Sequence, residues 1–315
     1  MKDAMSMITG VHGFVGQVLA RRLQGEGRAL RLVCRCGQKV DSSRVSVVAV
    51  DFSATTDWSA ALSNVDCIVH AAGLAHVSAS AKAFDVVNCQ ATLNLARQAA
   101  AAGVRRFIFI SSVGVHGREG FDRRHPGNEE AAMAPLEEYA KSKAKTEVGL
   151  RQIEAETGLE VVIVRPVLMY GSGVKGNIQS MVKWLLAGVP LPLGLVKNRR
   201  SFLNVKNLAD FVFRCLDHPG AAGESFILAD GNDVSTPELL CLTGKALGKR
   251  PLLVPVPPAL LRVGAMLLGK RKMAAQLLDD LCFDISKART RIDWQPPFSM
   301  EDGLKDMADS INEAH

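Results

Sequence analysis

Short apolar runs alternate with helix-like stretches through the first 170 residues of this chain. The runs are rich in β-branched and aromatic residues and are bounded by Gly, Asp or Ser, which is typical of buried strands. They cover residues 6–9, 29–34, 45–50, 67–70, 107–111 and 161–164. The helix-like stretches are residues 15–25, 58–62, 83–102 and 136–157. Strands separated by helices of this length predict right-handed βαβ units, and hence an α/β fold with a doubly wound parallel sheet.

The pattern changes after about residue 170. Longer loops, Gly and Pro punctuation and helices with scattered short strands follow. We therefore expect a smaller C-terminal α+β lobe, with some segments returning to the sheet. Ligands of open α/β sheets bind at the carboxyl ends of the strands, so this lobe is predicted to cover that edge and to bind the substrate.

Composition excludes several classes of protein. With 48% hydrophobic and 22% charged residues, the chain of 315 residues has the composition of a globular protein. Its net charge of +6 suits an anionic ligand, but the 38 Lys and Arg form no basic block, so nucleic-acid binding is not expected. The seven cysteines include no CxxC, and no signal peptide precedes the first motif. A cytoplasmic protein with reduced thiols and no metal site is predicted.

The stretch "TGVHGFVG", residues 9–16, directly follows the first predicted strand and opens a helix. In that position glycines permit a tight turn and let the backbone approach a pyrophosphate, which the helix N-terminus attracts. A dinucleotide cofactor is therefore expected here. The predicted contacts are Gly10, Gly13, Phe14, Val15 and Gly16.

The second predicted strand indicates which dinucleotide is bound. Its end, "LRLVCRCGQK", has no acid to bind the adenosine ribose, and Arg35 lies there instead. A guanidinium matches a 2′-phosphate, so NADP(H) is preferred over NAD(H), although a solvated Arg35 stays an alternative. Asp51 ends the third strand, beside Phe52. Asp51 is either a partner of the adenine amino group or a helix cap.

Tyr139 is one of only two tyrosines, and it lies on the charged stretch "EEYAKSKAK". Lys143 follows four residues later, so the two side chains share a helical face. An ammonium near a phenol is expected to lower the phenol's pKa, which makes tyrosine usable as a general acid or base. Ser112, at the end of the fifth strand, is predicted to hold the substrate oxygen. A Tyr/Lys pair alone is usually a surface feature, but Ser112 and the glycine turn accompany this one.

Five motifs then occur in a fixed order. They are "TGVHGFVG", "HAAG" (70–73), "SSVGVHG" (111–117), "YAKSK" (139–143) and "RPVLMYGSG" (165–173). Together they resemble the extended short-chain dehydrogenase/reductase family, in its nucleotide-sugar branch of UDP-glucose 4-epimerase-like proteins from bacterial polysaccharide clusters. The resemblance runs from Met7 to about Trp294. It implies an NAD(P)-binding Rossmann domain over residues 1–170 and mainly a substrate-binding lobe over 171–315.

The resemblance also implies roles for individual residues. Ser112, Tyr139 and Lys143 would be catalytic, and Lys143 would also bind the nicotinamide ribose. Further cofactor contacts would be Ala71, Ala72, Gly73, Asn88, Pro166 and Met169. Core packing stays an alternative for the alanines and for Asn88. A homodimer is expected, with the helices over residues 83–102 and 136–157 at its interface.

The substrate expected from the resemblance is a UDP-sugar. The implied contacts are His76, Ser112, Asn177 and Arg200, with Asn177 and Arg200 at the diphosphate. Arg199 is an equally arguable partner for the diphosphate. A structural role for His76 or for His116 stays open, since a lone histidine is more often structural. This chain has His116 and Asn207 where the family usually has Tyr and Asp, which leaves the sugar undefined.

Several reactions use this constellation. Arg35 favours an NADPH-dependent reductase, which would convert a UDP-4-keto-6-deoxy-N-acetylhexosamine to UDP-N-acetylquinovosamine for surface polysaccharide. The alternative is a UDP-glucose or UDP-N-acetylglucosamine 4-epimerase with tightly bound NAD. A dehydratase would need carboxylates beside Ser112, and "SSVGVHG" has none. A non-catalytic dinucleotide sensor is disfavoured because both Tyr139 and Lys143 are present.

The stretch "PPALLRVGAMLLGKRKM", residues 257–273, joins an apolar helix to Lys270, Arg271 and Lys272. Prolines and Arg262 exclude a membrane-spanning helix. One interpretation places the segment on an anionic membrane surface. The interpretation we favour makes it a helix of the substrate lobe that ends in cations complementing its dipole, without membrane contact.

Overall fold

The computed structural model describes residues 4–35, 45–50, 52–75 and 79–313, without the side chains of residues 35 and 45–50. Its central feature is a parallel sheet of seven strands. The strands, in chain order, are β1 Met5–Thr9, β2 Leu30–Arg35, β3 Val45–Val50, β4 Val65–His70, β5 Arg106–Ile110, β6 Glu160–Pro166, β7 Leu168–Tyr170, β8 Phe202–Asn204 and β9 Ser225–Leu228. β7 and β8 form a separate small parallel sheet, and the others form the main one.

The order of strands in the main sheet is β3-β2-β1-β4-β5-β6-β9, and every pair is parallel. The chain moves from β1 toward one edge and then returns to build the other half from β4. This reversal leaves a crevice at the carboxyl ends of β1 and β4, which is where open α/β sheets bind ligands. β5 is buried along its whole length, as expected for a strand covered on both faces. The predicted doubly wound fold is confirmed.

Helices cover both faces of the sheet. Within the described residues they are α1 Phe14–Gly25, α2 Ser59–Leu62, α3 Ala81–Phe84, α4 Ala91–Ala101, α5 Glu138–Thr157, α6 Asn177–Leu186, α7 Val205–Cys215, α8 Thr236–Ala246, α9 Pro258–Leu267, α10 Arg271–Leu278, α11 Ser286–Ile292 and α12 Met300–Asn312. The helix predicted over 83–102 is interrupted, because a π-helical segment, Asp85–Gln90, joins α3 to α4. α5 ends at Gly158, whose φ of 75° is the left-handed conformation that glycine adopts easily.

Three apolar cores hold these layers together. One lies between the sheet and α1 and α7, around Leu19 and Phe211. A second lies on the opposite face, under α4 and α5, around Leu95 and Leu150. The third joins the small sheet to α6, α8 and α12, and its centre includes Tyr170. Since β9 and α7 belong to the layers of the main sheet, parts of residues 171–315 contribute to the predicted Rossmann domain. The division of function at residue 170 stays a prediction.

The six described cysteines are free thiols, and Cys36 lies outside the described residues. The described side chains of His, Cys, Asp and Glu form no cluster suited to a metal ion. Within the same ranges, none of the helices has the length and apolarity needed to cross a membrane.

Candidate active site

The glycine turn brings three pieces of backbone into contact at the switch point of the sheet. Gly10 has φ of +76°, and a Cβ there would lie 2.7 Å from the backbone of Ala71 and Ala72. A Cβ on Gly16 would overlap the carbonyl of Gly10. Gly13 is the N-cap of α1, and no side chain caps this helix. The N–H groups of its first turn are therefore left for an anionic group, and these residues fit the pyrophosphate of a dinucleotide.

Asn88 fixes the loop that follows β4. Its amide oxygen accepts a 2.7 Å hydrogen bond from the Leu74 N–H, and its Nδ2 donates to the Leu74 carbonyl at 3.1 Å. The same Nδ2 lies 3.1 Å from Oγ of Ser142, the residue before Lys143. Asn88 is buried in the π-helical segment, a distortion often found at functional sites. It therefore joins the loop predicted to face the cofactor to the helix predicted to carry catalysis.

The predicted adenosine contacts are only partly described. Asp51 and the side chain of Arg35 lie outside the described residues, and so does His76, which was predicted to contact the substrate. The ring of Phe52 stacks on His70, with 5.4 Å between centroids, and meets Trp58 edge-on at 5.6 Å. The structure thus gives this ring a packing role.

His70 is a buried histidine held between two threonines. Its Nδ1 lies 2.8 Å from Thr9 Oγ1 and its Nε2 lies 2.9 Å from Thr92 Oγ1. Burial and the charge of Lys143 lower the pKa of His70 to about 3. The imidazole is therefore neutral at physiological pH, and it ties the end of β4 to β1 and α4.

Ser112 follows β5 and is the N-cap of a 3₁₀ turn, Val113–His116. Its Oγ accepts a 3.1 Å hydrogen bond from the Gly114 N–H. A Cβ on Gly114 would lie 3.3 Å from that Oγ and 3.4 Å from the Cβ of Ala140. The serine turn therefore packs closely against the first turn of α5.

Tyr139 lies in that first turn, and Lys143 follows one turn later. The Lys143 Nζ is buried and donates a 2.8 Å hydrogen bond to the carbonyl oxygen of Ile110, the last residue of β5. Ser112 is two residues beyond that carbonyl. The structure thus brings the three residues predicted to be catalytic together at the carboxyl end of β5.

The pKa predicted for Tyr139 is wrong in its direction. Burial raises the pKa of Tyr139 to about 12. The Lys143 Nζ faces Ile110 O and the ring of Phe109, 4.4 Å away, and lies 5.9 Å from the centroid of the Tyr139 ring. Desolvation therefore outweighs the expected attraction. The same burial lowers the pKa of Lys143 to about 8, opposed by the carboxylate of Glu147. Tyr139 is consequently protonated at neutral pH and suited to donate its proton.

A buried ion pair that was not predicted from the sequence lies behind Lys143. Arg165 Nη2 lies 2.6 Å from Glu147 Oε2, and the two side chains are only 5% and 2% exposed. Ser111 Oγ donates to Glu147 Oε1. His116 Nε2 lies 3.0 Å from Arg165 Nη1, which gives this histidine a structural partner. The sequence did contain a signal for Glu147, because it lies one turn after Lys143 and therefore on the same face of α5.

Two neighbouring arginines have different partners. Arg199 pairs with Glu238 at 2.5 Å, near the surface. Arg200 is buried and donates a 3.0 Å hydrogen bond to the carbonyl of Asp279, but no carboxylate among the described residues forms an ion pair with it. Burial and the nearby charge of Arg118 lower the pKa of Arg200 to about 10. A buried guanidinium that forms no such ion pair is suited to bind an anion. Arg118, which lies 3.5 Å from Glu137, is a second cation nearby that was not predicted from the sequence.

The remaining predicted residues lie on nearby elements. Pro166 ends β6 and Met169 lies in β7, where the chain leaves the carboxyl edge of the sheet. Asn177 is exposed at the start of α6, and its Nδ2 donates to Gln276 Oε1 of α10 at 3.0 Å. These positions are compatible with the predicted contacts, whose roles stay predictions.

Asn207, a departure from the family pattern, has a structural explanation. Its Nδ2 donates to Asp230 Oδ1 at 2.7 Å and to the Phe298 carbonyl at 2.9 Å. Asp230 also accepts a 2.7 Å hydrogen bond from the Tyr170 hydroxyl. A second carboxylate at position 207 would repel Asp230. The amide therefore reflects this buried network and gives no information about the sugar.

Comparison with known proteins identifies the family. The family model described as "NAD dependent epimerase/dehydratase family" matches residues 6–229, more than half of the chain. This chain belongs to that family. The epimerase/dehydratase chain is also 36% identical over 316 residues to a curated protein of Vibrio cholerae named UDP-glucose 4-epimerase, covering 98% of this chain and 96% of the relative.

Solved structures agree on the fold of this epimerase/dehydratase. A UDP-N-acetylglucosamine 4-epimerase from Bacillus cereus aligns with a TM-score of 0.80 and 18% identity, covering 98% of this chain and 100% of the other. The Bordetella bronchiseptica enzyme WbmG in complex with NAD and UDP aligns with a TM-score of 0.76 and 19% identity, over 98% and 95%. At these identities the likeness shows the fold alone.

Family membership confirms the predicted enzyme class. The chain is an NAD-dependent enzyme of the extended short-chain dehydrogenase/reductase type. The glycine turn at Gly10, Gly13 and Gly16 provides the cradle that such a cofactor needs. A preference for NADP(H) over NAD(H) stays a prediction, as does the homodimer.

Proposed function

We propose that this enzyme transfers a hydride at C4 of a UDP-sugar, with Tyr139 moving the proton of the C4 oxygen. The observation that carries the proposal is the convergence of Ser112, Tyr139 and Lys143 at the carboxyl end of β5, joined by the bond from Lys143 to Ile110. This convergence lies beside the glycine turn, at the switch point of the sheet.

Each residue has a separate task in this proposal. The Ser112 hydroxyl donates a hydrogen bond to the C4 oxygen, and the Tyr139 phenol exchanges a proton with it. The Lys143 ammonium offsets part of the cost of forming the buried phenolate and holds the ribose next to the nicotinamide. The first turn of α1 binds the pyrophosphate of the cofactor. The nicotinamide, when bound, supplies and accepts the hydride.

The diphosphate of the sugar nucleotide is assigned to Arg200 and Arg118. Arg200 forms no ion pair with a carboxylate of the described residues, and burial, together with repulsion from Arg118, lowers its pKa. A diphosphate relieves that repulsion and accepts the hydrogen bonds of the guanidinium. The naming of the Vibrio cholerae relative as a UDP-glucose 4-epimerase supports a UDP-sugar.

The comparisons favour 4-epimerisation as the overall reaction. The relative named UDP-glucose 4-epimerase covers nearly the whole chain at 36% identity. In an epimerase the C4 hydride is removed, the ketone turns over, and the same hydride returns, so NAD stays bound. We therefore place UDP-glucose or UDP-N-acetylglucosamine 4-epimerisation first.

Reduction of a 4-keto sugar is the second candidate. Its support is Arg35 at the end of β2, where the sequence offers no acid for an unphosphorylated ribose. In that case NADPH would reduce a UDP-4-keto-6-deoxy-N-acetylhexosamine once, forming UDP-N-acetylquinovosamine. Dehydration has no support, because the turn after Ser112 carries no carboxylate.

A substrate panel tests the proposal. The purified protein is incubated with UDP-glucose, UDP-N-acetylglucosamine, UDP-N-acetylgalactosamine and UDP-4-keto-6-deoxy-N-acetylglucosamine, while NADPH absorbance and product NMR are followed. Interconversion of C4 epimers without net cofactor change supports the first candidate. Stoichiometric loss of NADPH with the keto sugar alone supports the second. If all four sugars are returned unchanged with either cofactor, the proposed function is wrong.

The nucleotide that copurifies gives a second readout. Denaturing the protein and identifying the released dinucleotide should yield NAD for an epimerase. An Arg35→Ala variant should lose affinity for NADP(H) by roughly 10-fold or more while NAD(H) affinity changes little, if Arg35 binds the 2′-phosphate. If the wild type and the Arg35→Ala variant bind each cofactor with the same affinity, Arg35 gives no support for NADP(H).

We also propose a homodimer, through α5 and the neighbouring α4. The side chain of Val148 on α5 is 63% exposed, and Gly149 packs so closely on Leu93 of α4 that a Cβ would lie 2.7 Å from it. An apolar exposed position on this helix pair suits an interface. Sedimentation of the wild type and of a Val148→Glu variant tests it, and a monomeric wild type would contradict it.

A further inference from the structure

α9 exposes an apolar face to solvent. No residue of this helix is buried. Leu260, Val263 and Leu267 are 62%, 52% and 78% exposed, and their spacing puts them on one side of the helix. Leu268, just after the helix, is 71% exposed. Only the opposite side, through Leu261, packs against the third core.

Cations flank this face at both ends. Lys249 and Arg250 precede it, and Lys270, Arg271 and Lys272 follow it, all of them exposed. No Asp or Glu occurs between residues 249 and 278. We call the exposed side of α9, with Leu268 and the cations at 270–272, the basic apolar surface.

The cations after α9 lie in an electrostatically unfavourable position. Lys270 is the N-cap of α10, and Arg271 and Lys272 are its first two residues. A helix N-terminus carries partial positive charge, so cations there are destabilising. The same cations follow the C-terminus of α9, so the predicted complementation of that helix dipole stays a prediction. An anionic partner outside the chain would offset the cost at α10.

We propose that the basic apolar surface docks on an anionic lipid bilayer. Exposed leucines insert at the boundary between headgroups and acyl chains, while lysines and arginines contact the lipid phosphates. A helix of ten residues is about 15 Å long and too short to span a bilayer, so α9 lies in the plane of the interface.

Charge argues against a second copy of this chain as the occupant. A two-fold interface would bring the same surface together with itself. Lys270, Arg271 and Lys272 would then approach the same three cations of the other copy. An anionic bilayer presents the opposite charge and a non-polar interior beneath it.

Docking would hold the candidate substrate site next to the lipid headgroups. α10 follows the basic turn, and its Gln276 accepts a hydrogen bond from Asn177. Asp279, just after α10, accepts one from Arg200 and pairs with Arg262 of α9 at 2.6 Å. The docking surface does not depend on which sugar reaction is correct.

Vesicle cosedimentation of the full chain tests the proposal. Vesicles of phosphatidylcholine alone are compared with vesicles that contain about 30% phosphatidylglycerol, at about 0.05 M and 0.5 M salt. The wild type should bind only the anionic vesicles, and most strongly at low salt. The triple variant Lys270→Glu, Arg271→Glu and Lys272→Glu should weaken binding on the order of 100-fold.

A second variant and a control separate the contributions. Leu260→Ser with Leu267→Ser and Leu268→Ser should weaken binding by about 10-fold or more, with less dependence on salt. The control reverses three exposed cations on α1, α4 and α12, namely Arg21→Glu, Arg97→Glu and Lys305→Glu, and should bind like the wild type. Circular dichroism checks that each variant is folded.

Three results would overturn the proposal. They are the absence of wild-type binding to anionic vesicles at low salt, an equal loss in the control variant, and a lower oligomeric state of the leucine variant without vesicles. The last result would show that a second copy covers the surface. Turnover of soluble UDP-sugars should be unchanged in all three variants, so failure of the docking proposal is distinguishable from failure of the proposed function.

Discussion

The ammonium of Lys143 donates a 2.8 Å hydrogen bond to the carbonyl oxygen of Ile110. This bond joins one turn of α5 to the end of β5, from which the chain continues to Ser112. It fixes the spacing of the predicted catalytic residues through the backbone of the sheet. It also keeps the Lys143 charge in a buried position, where its pKa falls to about 8.

The lowered pKa of Lys143 predicts an alkaline limit to activity. Because the ammonium is needed to favour the Tyr139 phenolate, kcat/KM should fall as pH rises through about 8. A Lys143→Arg variant keeps its charge at higher pH, so its residual activity should not show this fall. The pH profiles of both proteins provide the measurement, and a shared fall at the same pH would assign the limit to another group.

His70 predicts a loss of stability in acid. Its pKa is about 3 in the folded protein against 6.5 for an unperturbed histidine, so the unfolded chain binds a proton that the folded protein does not. The free energy of unfolding should therefore fall by a few kcal/mol as pH drops from 6.5 toward 3. Denaturant unfolding of a His70→Gln variant should show a shallower dependence over that window. If the unfolding free energies of both proteins depend on pH in the same way, His70 is not buried as a neutral group.

The regular pattern of the first half made the sheet predictable. Every strand predicted from the sequence is present, with ends shifted by two residues or fewer. β9 was missed because its four residues pair with β6, more than fifty positions earlier, and only that pairing makes them a strand. The π-helical turn around Asn88 was missed because helical periodicity does not distinguish it from an α-helix.

The candidate site was less predictable than the fold. Motifs located Ser112, Tyr139 and Lys143, but the pKa of Tyr139 depends on burial, which sequence spacing does not give. The choice between Arg199 and Arg200 depended on Glu238, which lies far away in sequence and binds only the former. Spacing along a helix finds neighbours on one face, whereas partners from other elements require the structure.

The pair of Glu147 and Arg165 should be costly to break. Glu147→Ala leaves a buried guanidinium without its carboxylate, and we expect a loss of about 3–5 kcal/mol in unfolding free energy. Lys305→Ala, at an exposed position of α12 away from the proposed dimer interface, should change stability little. In a double-mutant cycle with Arg165→Met, the loss of stability in the double variant should be much less than the sum of the losses in the two single variants. Full additivity would show that the two side chains are not coupled.

Glu147 should also act on catalysis through Lys143. Its carboxylate raises the pKa of Lys143, so a Glu147→Gln variant should move the alkaline fall of kcat/KM to lower pH. A role confined to packing would lower stability and leave the position of that fall unchanged. The pH profile therefore distinguishes a positioning role from a structural one.

Arg200 and Arg199 form a matched pair for testing the diphosphate site. Arg200→Met should weaken UDP binding by roughly 10- to 100-fold, because charge-assisted hydrogen bonds to the diphosphate are lost. Arg199→Met should have little effect, since that guanidinium is paired with Glu238. Titration calorimetry with UDP measures both. Equal affinities for the two variants would remove Arg200 from the site.

Replacement of Tyr139 by Phe removes the group that is proposed to move the proton of the C4 oxygen. The variant keeps the ring and removes only the hydroxyl, so thermal unfolding and binding of dinucleotide and UDP should stay near wild-type values. With the substrate that the panel identifies, turnover should fall by roughly 100- to 10,000-fold. Wild-type turnover by Tyr139→Phe would contradict the account, because the proton of the C4 oxygen would then move through another group.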